Sequence, residues 1–87
     1  MDVIIKFTHS AFKHGVSEAD IRWAIDTAKY DGFIDDDEDA ENKRLLIGFD
    51  QTARALEIMY NILDSDTVRV FHAMKCRSAF KHLLEKE

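Results

Sequence analysis

Lys13-His14-Gly15-Val16-Ser17 places two basic side chains just ahead of a helix start. Unpaired backbone N–H groups and the helix dipole favour an anion such as phosphate there. A capped helix carrying two solvated basic residues would have the same sequence. Arg44, Glu57 and Arg69 form a second grouping, on segments where they alternate with apolar residues and so point away from the main apolar side. In that arrangement the arginines could bind phosphate and Glu57 could accept a proton; charge pairs across solvated strands would give the same pattern. His72 alternates in step with Val68 and Val70, which suits a half-buried, hydrogen-bonded histidine as well as a proton-transfer group.

Metal chemistry finds little support. Asp35, Asp37 and Asp39 start like a calcium loop, but Ala40 stands where that loop needs glycine and Leu46 where it needs a bidentate glutamate. A solvated acidic loop accounts for them better. His9, His14, His72, Cys76 and His82 lack the close ligand pairs of a zinc site, so no metal or other cofactor is expected. With Cys76 as the single cysteine there is no disulfide framework. The first eight residues contain no apolar signal core, and no apolar run approaches the roughly 20 residues of a membrane span. A reducing cytoplasm is the expected compartment.

The net charge of −5 would oppose nucleic-acid binding if it were evenly spread. It is concentrated: Asp35, Asp36, Asp37, Glu38, Asp39 and Glu41 alone exceed it, while from Lys43 to Lys86 eight basic residues face five acidic ones. The C-terminal half could therefore meet a phosphate backbone.

The elements that must position these groups follow from periodicity. Residues 3–7 read as a first strand. A helix starts at Ser17, capped in partnership with Asp20, buries Ile21, Ala24, Ile25 and Ala28, and is expected to stop at Gly32. Phe33 and Ile34 open a second strand, residues 43–49 and 54–63 alternate as strands, 64–67 turn, 68–74 return, and 78–84 form a short helix. The expected fold is one α+β domain, 1–87, with an antiparallel sheet of three to four strands. Hairpin register matters for chemistry. A loop of residues 64–67 pairs Met59 with His72 and puts His72 beside Glu57, whereas a loop one residue shorter pairs Ile58 with His72 and stacks Leu56, Ile58, Tyr60, Ile62, Val68 and Val70 on one face. Apolar agreement favours the shorter loop, with Arg44, Glu57 and Arg69 sharing the other face.

Lys13-His14-Gly15-Val16-Ser17 resembles the start of the first long helix in the BrnT branch of the RelE-like toxins. The order Glu41, Arg44, Leu45, Ile47, Gly48, then Arg54, Leu56, Ile58, Tyr60, then Val68, Arg69, Val70, Ala73 is similar to that family's three-strand pattern, so the likeness runs roughly from His14 to Arg77. The family's Trp-Asp opening is Phe7-Thr8-His9 here, its Ala-Arg-Arg ending gives way to residues 72–77, and this chain is acidic where the family is basic. The resemblance implies a RelE-like fold and the toxin of a type II toxin–antitoxin pair. It implies a metal-independent RNA endonuclease in which a 2′-hydroxyl attacks the neighbouring phosphate. Lys13, Arg54, Lys75 and Arg77 would bind phosphate, and His14, Glu57 or His72 would move protons. Its partners would be a cognate antitoxin and RNA. The alternative is a non-catalytic RelE-like module that binds another protein; a small core of this size often leans on a partner chain.

Overall fold

The computed structural model describes residues 3–33 and 43–85; Ile34 and the acidic run at 35–41 lie outside the described residues. The elements are β1 (Ile4–Phe7), a 3₁₀ turn (His9–Phe12), α1 (Glu18–Asp26), β2 (Tyr30–Phe33), β3 (Lys43–Phe49), β4 (Ala55–Asp64), β5 (Thr67–Lys75), α2 (Ser78–Lys81) and a second 3₁₀ turn (His82–Glu85). The result is a small α+β fold with two short helices and one five-stranded sheet, ordered β1-β5-β4-β3-β2.

Three expectations need correction. The sheet is mixed rather than antiparallel: β2 to β5 form an antiparallel meander, but β1 runs parallel to β5, with Ile4 opposite Thr67 and Phe7 opposite Val70. That register puts Ile5 and Phe7 against the same apolar cluster as Val68 and Val70, and a one-residue slip would turn them away from it. Gly32 does not end the helix. Thr27 caps it, its hydroxyl donating to the Trp23 carbonyl at 2.8 Å and accepting from the Phe49 N–H at 3.0 Å. The chain then pairs at once, Lys29 N–H to Ile47 carbonyl, and Gly32 lies in β2 opposite Leu45. Ala28, expected on the buried stripe, falls beyond the helix and is exposed.

Both faces of the sheet are covered. On one, Ile21 and Ala24 of α1 pack fully buried against Leu46, Leu56, Ile58, Tyr60, Val70 and Ala73. On the other, Leu45, Ile47 and Cys76 meet Phe80, Leu83 and Leu84 from the C-terminal segment. β3 is therefore buried on two sides, which explains its near-continuous apolar run. Among the described residues no helix is long and apolar enough to cross a membrane.

Close approach sets one glycine. A Cβ on Gly48 would run into the Ala24 carbonyl of α1, which is backbone and cannot swing aside. Gly48→Ala is expected to destabilise the fold by about 3 kcal/mol, the upper end of overpacking costs. Ala53, in the β3–β4 turn, has φ 69°, a left-handed conformation that costs an L-residue roughly 1–2 kcal/mol. Ala53→Gly should therefore stabilise by about 0.5–1 kcal/mol once the added freedom of the unfolded chain is subtracted. Urea denaturation midpoints of the two variants should move in opposite directions.

Candidate active site

The β4–β5 hairpin uses both expected registers in succession. Asp64 pairs with Thr67, Ile62 with Val68 and Tyr60 with Val70, and then Met59 pairs with His72. Leu63 is the extra residue on β4 near the turn, and Phe71 is the extra residue on β5. Each bulge shifts the pairing by one residue, in opposite directions. The apolar agreement that favoured pairing Ile58 with His72 holds only between the bulges. Beyond Phe71 the ladder shifts, His72 opposes Met59, and His72 stands beside Glu57.

Glu57 has no exposed surface, and a lone carboxylate there would be untenable. Five contacts hold it. Arg77 approaches with Nη2 at 2.6 Å and Nε at 3.0 Å from Oε2, and with Nε at 3.1 Å and its backbone N–H at 2.9 Å from Oε1; His72 Nε2 lies 2.9 Å from Oε2. Burial alone would raise the Glu57 pKa, but the Arg77 and His72 hydrogen bonds outweigh it and hold the carboxyl below its ordinary 4.5. An ionised carboxylate only accepts hydrogen bonds, so Nε2 of His72 is assigned as the donor. In the neutral imidazole Nδ1 is then the acceptor, which is how a carboxylate orients a histidine base.

His72 also meets a second imidazole. The His14 ring stands edge-on to it, with centroids 5.6 Å apart and planes inclined at 71°. β1 stops pairing at Val70, and the 3₁₀ turn takes its place along β5, fastened by Ser10 Oγ to the Phe71 carbonyl at 2.8 Å. The chain then bends through Gly15, whose φ of 79° is the left-handed conformation glycine adopts without strain, and enters α1. Ser17 caps that helix by accepting from Asp20 N–H at 3.1 Å.

His14 also lines a cleft of about 230 Å³ with Lys75, Arg54, Asp20 and Asp50, over Val16 and Leu56. Neither acid was expected in the cleft from the sequence, where Asp20 figures only as the capping partner of Ser17. Asp50 is buried and accepts from Thr52 N–H, Thr52 hydroxyl, Arg54 N–H and Arg54 Nε at 2.8–2.9 Å. Led by the Arg54 backbone bond, these contacts outweigh burial and bring its pKa down to about 2. Asp20 accepts from the backbone and side chain of Gln51, each at 3.1 Å. Asp20 sits at the capped start of α1 and Asp50 at the start of the β3–β4 turn, and only the fold aims them into the cleft.

The remaining candidates divide. Lys13 is exposed beside His14. Arg77 turns inward to Glu57, although half of its side chain stays in water. Arg44 does not share a face with Glu57 and Arg69, because it pairs with Tyr60 on the α1 side. There its Nε lies 3.1 Å from the Tyr60 hydroxyl and 3.2 Å from Asp31, and its guanidinium stacks 4.6 Å from the Phe33 ring centre. Burial, then the 2.6 Å bond to Asp31, pushes the Tyr60 phenol up to about 12. Arg69 lies opposite Asn61, 3.3 Å from its side-chain oxygen, on the Glu57 face of the sheet. Among the described residues no cluster of three His, Cys, Asp or Glu side chains could hold a metal ion.

Compared with protein families, curated proteins and solved structures, the chain matches none.

Two expectations follow from the carboxylates. Both have folded pKa values below the ordinary 4.5 and 3.8, so the unfolded chain binds more protons across that window and stability rises with pH there. Their contribution is complete above pH 4.5 and is lost as pH falls towards 2. Urea midpoints should drop across that interval, less steeply in Asp50→Asn. Arg77→Ala strands a buried charge. Such a loss costs roughly 3–5 kcal/mol when both partners are buried, and about 2 kcal/mol is expected here because the Arg77 side chain is 51% exposed. Denaturation at neutral pH measures it.

Proposed function

We propose that this protein is a metal-independent RNA endonuclease, the toxin component of a type II toxin–antitoxin pair in the RelE-like, BrnT-type manner. The observation that carries the reading is the His72 imidazole, held by buried Glu57 on one side and meeting His14 on the other. Cleavage of RNA by its own 2′-hydroxyl needs a base, an acid and cations for the charge on phosphorus. His72, with Nδ1 as acceptor, is suited to take the proton from the 2′-hydroxyl. The 2′-oxygen bonds to phosphorus, the bond to the 5′-oxygen breaks, and protonated His14 supplies that leaving oxygen with its proton. The products are a 2′,3′-cyclic phosphate and a 5′-hydroxyl end. Lys75 and Arg54, in the cleft with His14, lie where phosphate oxygens would gather. Glu57 is too buried to touch substrate and serves as a positioning residue, with Arg77 fixing it in turn. Arg44, opposite Tyr60 on the other face of the sheet, takes no part in this centre.

A second reading is favoured by a separate observation. An apolar groove of about 240 Å³, lined by Val3, Ile5, Ile25, Leu46 and Val68, runs beside α1, with Trp23 and Phe33 exposed elsewhere on the surface. Such surface marks protein-binding sites. It would seat the antitoxin of the first reading, or be the whole function of a non-catalytic module.

Purified protein should cleave RNA in the presence of EDTA and leave cyclic phosphate ends. His14→Gln and His72→Gln should each slow cleavage by roughly 10²- to 10⁴-fold with the fold intact by circular dichroism. Full activity in both variants would sink the catalytic reading and leave the binding module. Co-expression with neighbouring small genes, followed by pull-down, tests the partner: one of them should co-purify.

A further inference from the structure

Phe12 is a large apolar side chain left 39% exposed at the end of the 3₁₀ turn. Its position is well supported. Ala11, its neighbour, is fully buried in the main core, Thr8 N–H bonds the Val70 carbonyl at 2.9 Å, and Ser10 holds the Phe71 carbonyl at the bulge. The ring itself leans on Phe7, centroids 5.4 Å apart and planes 34° from parallel. An open concavity of about 540 Å³ lies over it, lined by His9, Ser10, Phe12 and Lys13. The rigid aromatic face is thus flanked by two basic side chains. The next residues in the chain are Lys13 and His14, and His14 meets His72.

We infer that Phe12 is a stacking platform for an unpaired nucleobase next to the scissile phosphate, so that the site takes single-stranded RNA. This rests on the ribonuclease reading above and adds the substrate class. A flat apolar ring beside a lysine cation complements a nucleotide, whose base has a π face and whose phosphate is an anion. A paired base is stacked within its helix and cannot present that face, which gives the preference for single strands. The same bulge contact that carries the turn also sets His72, so base seating and imidazole alignment share one rigid support.

The test uses short RNA oligonucleotides made uncleavable by a 2′-deoxy group at the scissile nucleotide, with binding read by fluorescence anisotropy. Base–aromatic stacking is worth roughly 1–3 kcal/mol, so Phe12→Ala and Phe12→Leu should weaken single-strand binding roughly 5- to 150-fold, and Phe12→Trp should retain it. Lys13→Gln should instead lower the salt dependence, by a slope of about 0.7 for one single-strand phosphate contact, which the Phe12 variants should not do. A fully paired hairpin should bind more weakly than the single strand and be indifferent to Phe12. If the wild type cleaves RNA but Phe12→Ala and Phe12→Leu bind single strands as it does, the platform is refuted and the ribonuclease stands. If the wild type neither binds nor cleaves any RNA, both fall together.

Discussion

A carboxylate with no surface in water must be paired, and Glu57 draws its partners from two different parts of the chain: His72 from β5, and the Arg77 side chain and backbone N–H from the segment leading into α2. Losing any of them would leave charge in a medium that cannot solvate it. The strand pairing, the path of the chain past Cys76 and the orientation of one imidazole are therefore tied to a single buried group. Hydrophobic burial on the two faces supplies the bulk of the driving force, but it does not discriminate between arrangements that bury the same area. The ion pair does.

The two bulges are the geometric means by which that pairing coexists with the core. Between Leu63 and Phe71 the hairpin keeps Tyr60, Val68 and Val70 in step with the α1-side core, while Ile62 stays exposed. Past Phe71 the shift sends His72 to the side of Glu57 while Ala73 takes the buried position facing α1. The extra residue also leaves the Phe71 carbonyl to accept from Ser10, and this joins the 3₁₀ turn to the strand where β1 no longer covers it. The candidate site is thus built where ladder regularity fails, as bulges beside functional sites commonly do.

The cleft shows the same economy in its charges. Asp50 commits one oxygen to the turn and pairs the other with the Arg54 Nε. The Arg54 side chain still remains largely in solvent, 72% exposed. Asp20 is likewise held by Gln51. These acids fix the loops that line the cleft beside Arg54, Lys75 and His14.

Much of this was legible from residue order alone. The alternation in residues 43–49 defines β3 with the observed bounds, and Ser17 caps α1 because a hydroxyl before an apolar helical stripe answers an unpaired backbone N–H. The chemistry-bearing residues His14, Glu57, His72, Lys75 and Arg77 could be named, since their types suit proton transfer and phosphate binding. Their grouping could not. Strand periodicity is local and assumes an unbroken ladder, whereas the bulge at Phe71 arises because β5 must satisfy β4, β1 and the 3₁₀ turn together. The parallel placement of β1, the early stop of α1 at Thr27 and the separation of Arg44 from Glu57 have the same origin: each is decided by contacts between segments far apart in sequence. Tertiary structure decided which carboxylate meets which histidine, because only packing determines where a ladder slips by one residue.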